Sequence, residues 1–378
     1  MALAPGEVLP LHTGGSFRHR ASSAPSPALL IDRRVIEHNI RAMRHALGGI
    51  DIHYAVKAND DLGVLRAIAN EGAGFEVASS AELRAVLSLG VAPRRIISSN
   101  PIKRPDFIVD AHAAGVRRVA IDSLAEVEKL SGLAGGIEVY CRVEVDNSDS
   151  EWPLSRKHGV VAADAPDLLV AARDAGLVPV GLTFHVGSQC LNPRAWRSAL
   201  LVAVGVWRAC EARGLRLSLL NLGGGFPIRH VKEIPALEEF GYVIRHHVAE
   251  LFPPNIEVAV EPGRGLVGDA AVLATTVIGV ADRANGRWVF LDAGVFNGLL
   301  ETIGGFQYQY QVERDGPTRP TTLAGPSCDS VDTIQSGVPL PDLSIGDRVY
   351  VMNAGAYTLS YASSFNGFDP PAIVYLDE

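Results

Sequence analysis

The stretch Asp51-Ile52-His53-Tyr54-Ala55-Val56-Lys57-Ala58-Asn59 is a short apolar run that ends in a lysine and turns at once to polar residues. It reads as a buried β-strand with Lys57 at its C-terminal end. A lysine is costly to bury without a partner. Covalent use is one explanation, because desolvation lowers an amine's pKa and makes it a nucleophile toward carbonyls. A strand-end lysine that snorkels to water is the other.

Around this run the chain alternates. Apolar, β-branched segments recur at 50–56, 74–78, 95–98, 118–122, 137–145, 178–186, 217–222 and 256–260, with helical stretches such as 81–89, 124–133, 166–175 and 196–213 between them. Ahead of them, 28–32 reads as a strand and 33–47 as an amphipathic helix. Strands alternating with helices argue for parallel βα units, and eight of them close a barrel of roughly 250 residues. An open doubly wound sheet is the alternative, but there is no early Gly-rich dinucleotide turn. After about residue 265 the pattern changes to short apolar strands at 271–281, 287–291, 321–324, 348–352 and 372–376. The expected architecture is α/β: a (β/α)8 barrel over 27–265 and a mainly antiparallel β-domain of about 110 residues. The β-domain is formed by 266–378, with 1–26 pairing into it.

Composition narrows the function. The 378 residues are 47% hydrophobic and 20% charged, which suits a soluble chain with two cores. A net charge of -8 with scattered basic residues argues against a nucleic-acid partner. No apolar run reaches membrane-spanning length, and the N-terminus lacks a basic segment followed by an apolar one. Cys141, Cys190, Cys210 and Cys328 are widely spaced, with neither a metal-ligand pattern nor a disulfide framework, so a cytoplasmic location is expected.

The C-terminal ends of barrel strands form the active face of such folds. Here those ends carry Lys57, Glu76, Arg142, His185, Gly223-Gly224-Gly225 and Glu261. Consecutive glycines let backbone amides approach an anion, although three glycines also describe a flexible loop. Glu261-Pro262-Gly263-Arg264 sets a carboxylate and a guanidinium on the same rim. The arginine can complete a phosphate cradle, and the carboxylate can hold a protonated ring nitrogen. A simple Arg–Glu turn closure is the plainer reading. His185 can stack on a planar ring and Ser188 can bond phosphate; alone, a satisfied core histidine would be favoured. In the β-domain, Cys328-Asp329-Ser330-Val331-Asp332 joins a thiol that can donate a proton to acids that can bind an ammonium. A buried structural cysteine in a turn is its alternative. A strand-end lysine, a phosphate cradle, a ring-nitrogen carboxylate and a stacking histidine together describe a pyridoxal phosphate site.

At this point the chain resembles the ornithine/diaminopimelate decarboxylase family of barrel-type pyridoxal phosphate enzymes, from about residue 27 to the end. The resemblance rests on Tyr54-Ala55-Val56-Lys57-Ala58-Asn59, Phe75-Glu76-Val77-Ala78-Ser79, His185-Val186-Gly187-Ser188, Gly223-Gly224-Gly225-Phe226, Glu261-Pro262-Gly263-Arg264, Cys328-Asp329-Ser330-Val331-Asp332, Gly355-Ala356-Tyr357-Thr358 and Phe365-Asn366-Gly367-Phe368. The last three, and the 151–157 segment, look like the ornithine/lysine branch.

The resemblance implies that Lys57 carries the cofactor covalently, Glu261 binds its ring nitrogen and His185 stacks on the ring. It implies that Ser188, Gly224, Gly225, Arg264 and Tyr357 hold the phosphate, with Glu82 and Arg142 in support. It further implies a homodimer in which Cys328 and Asp329 reach the other subunit's site. There Cys328 protonates the substrate's Cα, Asp329 binds its distal amine and Phe365 lines the pocket. Glu76 stands where the ornithine branch often has Asp. In the 292–302 loop the nearest acid to the second amine-binding position is Glu301, while Thr302 aligns with that position. The expected activity is decarboxylation of ornithine or lysine to a diamine. Another diamino acid, or a non-catalytic homologue of the antizyme-inhibitor kind, are the alternatives; intact Lys57, Glu261, Arg264 and Cys328 argue against the last.

Overall fold

The computed structural model describes residues 21, 23–154 and 157–377. The expected role of 1–20, and Ser155 and Arg156 of the 151–157 segment, lie outside them. The chain divides into two compact units: one holds 39–227 and 234–263, the other the described residues up to His38 together with 228–233 and 264–377.

All eight expected barrel strands form. They are Asp51–Ala55, Gly74–Glu76, Ile96–Ser98, Arg118–Ile121, Glu138–Arg142, Val178–Thr183, Leu219–Asn221 and Glu257–Val260. Each pairs in parallel with its neighbours, and Glu257–Val260 closes the ring against Asp51–Ala55. Ala120, Tyr140, Leu219 and Ala259 pack as one buried cluster from four of these strands. Because every strand runs the same way, every strand end opens on one face. Two of the intervening helices start at side-chain caps. Asp61 accepts hydrogen bonds from the Gly63 and Val64 amides and opens Leu62–Asn70, while Ser79 accepts from the Glu82 amide and opens Ser80–Ser88.

Lys57 corrects one expectation. The strand stops at Ala55, and Val56–Ala58 is a short 3-10 turn in which Val56 and Ala58 are buried and Lys57 is exposed. The turn carries Lys57 past the end of the strand.

The β-rich unit carries a mixed, mainly antiparallel sheet. Its strand order is Tyr310–Val312, Arg348–Val351, Ala271–Arg283, Gly286–Leu291, Arg319–Ala324 and Thr333–Leu340. Ala28–Ile31 pairs antiparallel with Ala271–Arg283 and parallel with Ala372–Tyr375. Its four residues are all buried, which is why it reads as an unbroken apolar run. The unit's N-terminal part runs on past residue 26 to His38, and the unit also holds 228–233 and resumes at Arg264. Tyr310–Val312 and Thr333–Leu340 were not expected as strands, because glutamine, threonine, glycine and proline dilute their pattern. Among the described residues no helix is long and apolar enough to cross a membrane.

Candidate active site

On the barrel's C-terminal face a cavity of about 400 Å3 is lined by Lys57, Glu76, Arg142, His185 and Glu261, five residues expected there. Parallel strands deliver them: Glu76 and Arg142 end their strands, and Lys57, His185 and Glu261 follow theirs within two residues.

The Glu261 carboxylate is buried and accepts hydrogen bonds from the Ser99 hydroxyl and the Asn221 amide. Ser99 also shares a hydrogen bond of 2.6 Å with the Tyr140 hydroxyl, and its backbone amide donates to Glu76 Oε1 at 3.2 Å. Burial raises the Glu261 pKa above its ordinary 4.5, the neighbouring Glu76 raises it further, and the Ser99 and Asn221 bonds oppose this. A cationic partner at this carboxylate would relieve that penalty.

His185 Nδ1 accepts a hydrogen bond from the Gly187 amide at 3.0 Å. Burial, with Arg142 and Lys57 nearby, lowers its pKa well below 6.5, so the ring is neutral. Asn147 steadies this loop, donating to the His185 carbonyl at 3.0 Å and accepting from the Leu154 amide at 3.0 Å.

The triple glycine is a crowded crossing and not a loose loop. A Cβ on Gly223, where φ is +63°, would lie 2.2 Å from the Phe184 carbonyl oxygen. One on Gly224 would sit 2.5 Å from the Glu261 carbonyl, and one on Gly225 2.5 Å from that of Gly187. Only glycine lets this backbone run beside His185 and Glu261.

Other expected residues fall elsewhere. Glu82 lies outside the cavity-lining set; it closes a capping arrangement, accepting from the Ala78 amide at 2.6 Å. Burial pushes its pKa up to about 7. Ser188 also lies outside that set, in a short antiparallel ladder opposite Trp152.

In the β-rich unit Arg264 is buried and forms an ion pair of 2.5 Å with Glu301. Its guanidinium stands 4.7 Å from the Phe306 ring centroid and 4.9 Å from that of Tyr357. Tyr357 adopts a φ of +62°, a strained conformation for a tyrosine. Arg264 and Tyr357 are thus brought together as expected. Glu301, expected in an amine pocket, pairs with Arg264 through Oε1 in this structure.

Cys328 and Asp329 are exposed. The Cys328 amide and thiol both donate to Asn366 Oδ1, at 3.3 and 3.5 Å, beside the exposed Phe365, whose ring meets Phe296 at 4.3 Å between centroids. The thiol is therefore not a buried structural one. Asp332 is the structural acid of the segment: buried, it accepts from the Val295 amide at 2.7 Å and the Ser327 amide at 3.0 Å.

Several functional candidates escaped the sequence. Ser99, Asn100, Leu154, Lys157, His158 and Thr183 line the cavity, and Tyr140 and Asn221 hold its carboxylate network. The Ser98-Ser99-Asn100 run just past a strand end was the one available signal.

Residues 33–268 match the family model described as pyridoxal-dependent decarboxylase, pyridoxal binding domain. The chain is 36% identical over 366 residues to the lysine/ornithine decarboxylase of Selenomonas ruminantium, covering 95% of this chain and 92% of that one. It is 32% identical over 360 residues to antizyme inhibitor 2 of Xenopus laevis, covering 90% of this chain and 78% of the other. Its fold matches the crystal structure of lysine/ornithine decarboxylase from Vibrio vulnificus complexed with putrescine, with a TM-score of 0.88, 32% identity and coverage of 95% and 97%.

Proposed function

The chain belongs to the pyridoxal-dependent decarboxylases, and we propose that it converts a basic L-amino acid, ornithine or lysine, into its diamine and CO2. The observation that carries this reading is the cavity in which Lys57, Glu76, Arg142, His185 and Glu261 converge.

The residues fit pyridoxal 5'-phosphate. A buried carboxylate with a raised proton affinity suits a protonated ring nitrogen, and the neutral His185 ring offers a flat face. The Gly223-Gly224-Gly225 crossing leaves no room for side chains, and the Gly224 and Gly225 amides would be the ones to meet an anion. Glu261 would hold the ring nitrogen, Lys57 the carbonyl carbon, and Ser188, Gly224 and Gly225 the phosphate. When bound, the cofactor supplies an electron sink for the pair left by departing CO2.

Other steps belong to the chain. Ser99 and Asn221 orient Glu261 by donating to its carboxylate. Arg142, half-buried, adds a cation near His185. Cys328 Sγ delivers the proton to the substrate's Cα, and Asp329 pairs with the distal ammonium. Both residues are exposed in this chain, which supports a homodimer in which each subunit lends them to the other's site. The four free thiols suit a reducing cytoplasm, and the product class suits polyamine biosynthesis.

The likeness to an antizyme inhibitor favours a second, non-catalytic reading. A screen of amino acids for CO2 release with cofactor present separates the two. Turnover of ornithine or lysine supports the first; cofactor-loaded protein that releases CO2 from no diamino acid refutes it.

A further inference from the structure

The beginnings of the barrel strands carry chemistry that decarboxylation does not use. Asp51, Gly74, Ile96, Arg118, Glu138 and Glu257 are the first residues of six strands, and all line one cavity of about 710 Å3. This is the N-terminal mouth of the barrel, the end away from Lys57. Conservative expectation assigns that face to stability, and part of it serves that purpose: Arg118 bridges Glu138, at 2.7 Å, and Glu257.

Four further arginines on the same wall have no such use. Arg44 donates to the Glu71 carbonyl at 2.6 Å, Arg95 to the Gly72 carbonyl, and Arg117 to the His112 carbonyl at 3.4 Å. Among the described residues none of Arg44, Arg94, Arg95 and Arg117 holds a carboxylate. Arginines elsewhere are often matched, as Arg33 is to Asp377 and Arg104 to Asp106. Unmatched ones such as Arg197 and Arg208 stand three turns apart on the exposed face of helix Arg194–Ala212. At the mouth, four share one concavity in a chain whose net charge is -8. His53 lines the same cavity, and its buried Nδ1 has no hydrogen-bond partner among the described residues.

Clustered guanidiniums repel one another, and an anion removes that penalty while matching their planar forks. The volume falls within the roughly 300–1,000 Å3 of small-molecule sites. Among the described residues no Phe, Tyr or Trp lines it. High charge in a small volume is what the walls select. We infer that the N-terminal mouth of the barrel binds a compact polyphosphate anion.

Calorimetric titration of the holoprotein with inorganic tripolyphosphate, at matched ionic strength, tests this. Saturable binding near one site per chain is expected. The exposed pair Arg94→Glu/Arg117→Glu should weaken binding at least about tenfold, the worth of one lost charge-assisted contact, while CO2 release stays unchanged. Arg197→Glu/Arg208→Glu changes net charge equally and should bind as wild type does. Three results would overturn the inference: no saturable binding, equal weakening in both double variants, or tighter binding of citrate than of tripolyphosphate.

Discussion

Arg264 and Glu301 form an ion pair 2.5 Å apart, with both side chains almost wholly removed from water. Removing one partner of a buried pair leaves an uncompensated charge, at a cost of about 3–5 kcal/mol. Glu301→Ala should therefore lower unfolding free energy by about that amount in urea. The preference between ornithine and lysine should hold, because this carboxylate faces Arg264. A switched preference, or a loss under about 1 kcal/mol, would return Glu301 to the amine pocket.

Glu261 and Glu82 both bind protons more tightly in the folded protein than in the unfolded one. Burial is the largest cause for each, and Glu82 reaches about 7. The stability they contribute is fully present below their unfolded value of 4.5 and is lost as pH rises through the folded one. In cofactor-free protein, Glu261→Gln and Glu82→Gln should thus gain melting temperature relative to wild type as pH rises from 5 to 8. A difference that stays flat with pH would mean that both carboxylates titrate normally.

Cys328 is exposed, with its thiol donating to Asn366. If Sγ protonates the substrate's Cα, Cys328→Ala should still release CO2. Most of its turnover should yield an aldehyde in place of the diamine, because the proton arrives at the wrong atom. Product analysis that finds only diamine removes Cys328 from the chemistry.

Sites shared between two subunits would make a quantitative demand. Lys57→Ala and Cys328→Ala proteins should each be nearly inactive in forming diamine. After random subunit exchange half the dimers are mixed, and each mixed dimer holds one intact site and one doubly defective site. Activity should recover to about a quarter of wild type. Verified exchange without recovery would mean that each chain builds its own complete site.

The barrel was legible because burial on both faces leaves near-continuous apolar runs, and parallel pairing then fixes where Lys57, Glu76, Arg142, His185 and Glu261 must meet. What stayed hidden depends on contacts distant in sequence. Ser99 reaches Glu261 across 162 positions and Asn221 across 40, and neither serine nor asparagine is distinctive alone. Glu301 reads locally as a loop acid; its pairing with Arg264, 37 positions away, could not be read from the sequence. Lys57 ends a strand-like run, yet a single 3-10 turn exposes it.

Two lysines, Lys57 and Lys157, line the same cavity, so the cofactor-bearing residue is a sharp choice. Borohydride reduction of the pyridoxal phosphate-loaded protein, followed by peptide mapping, decides it. The cofactor should be trapped on the peptide containing Lys57, and Lys57→Ala should abolish trapping while Lys157→Ala keeps it. Trapping on Lys157, or on any other lysine, would contradict the account of the site.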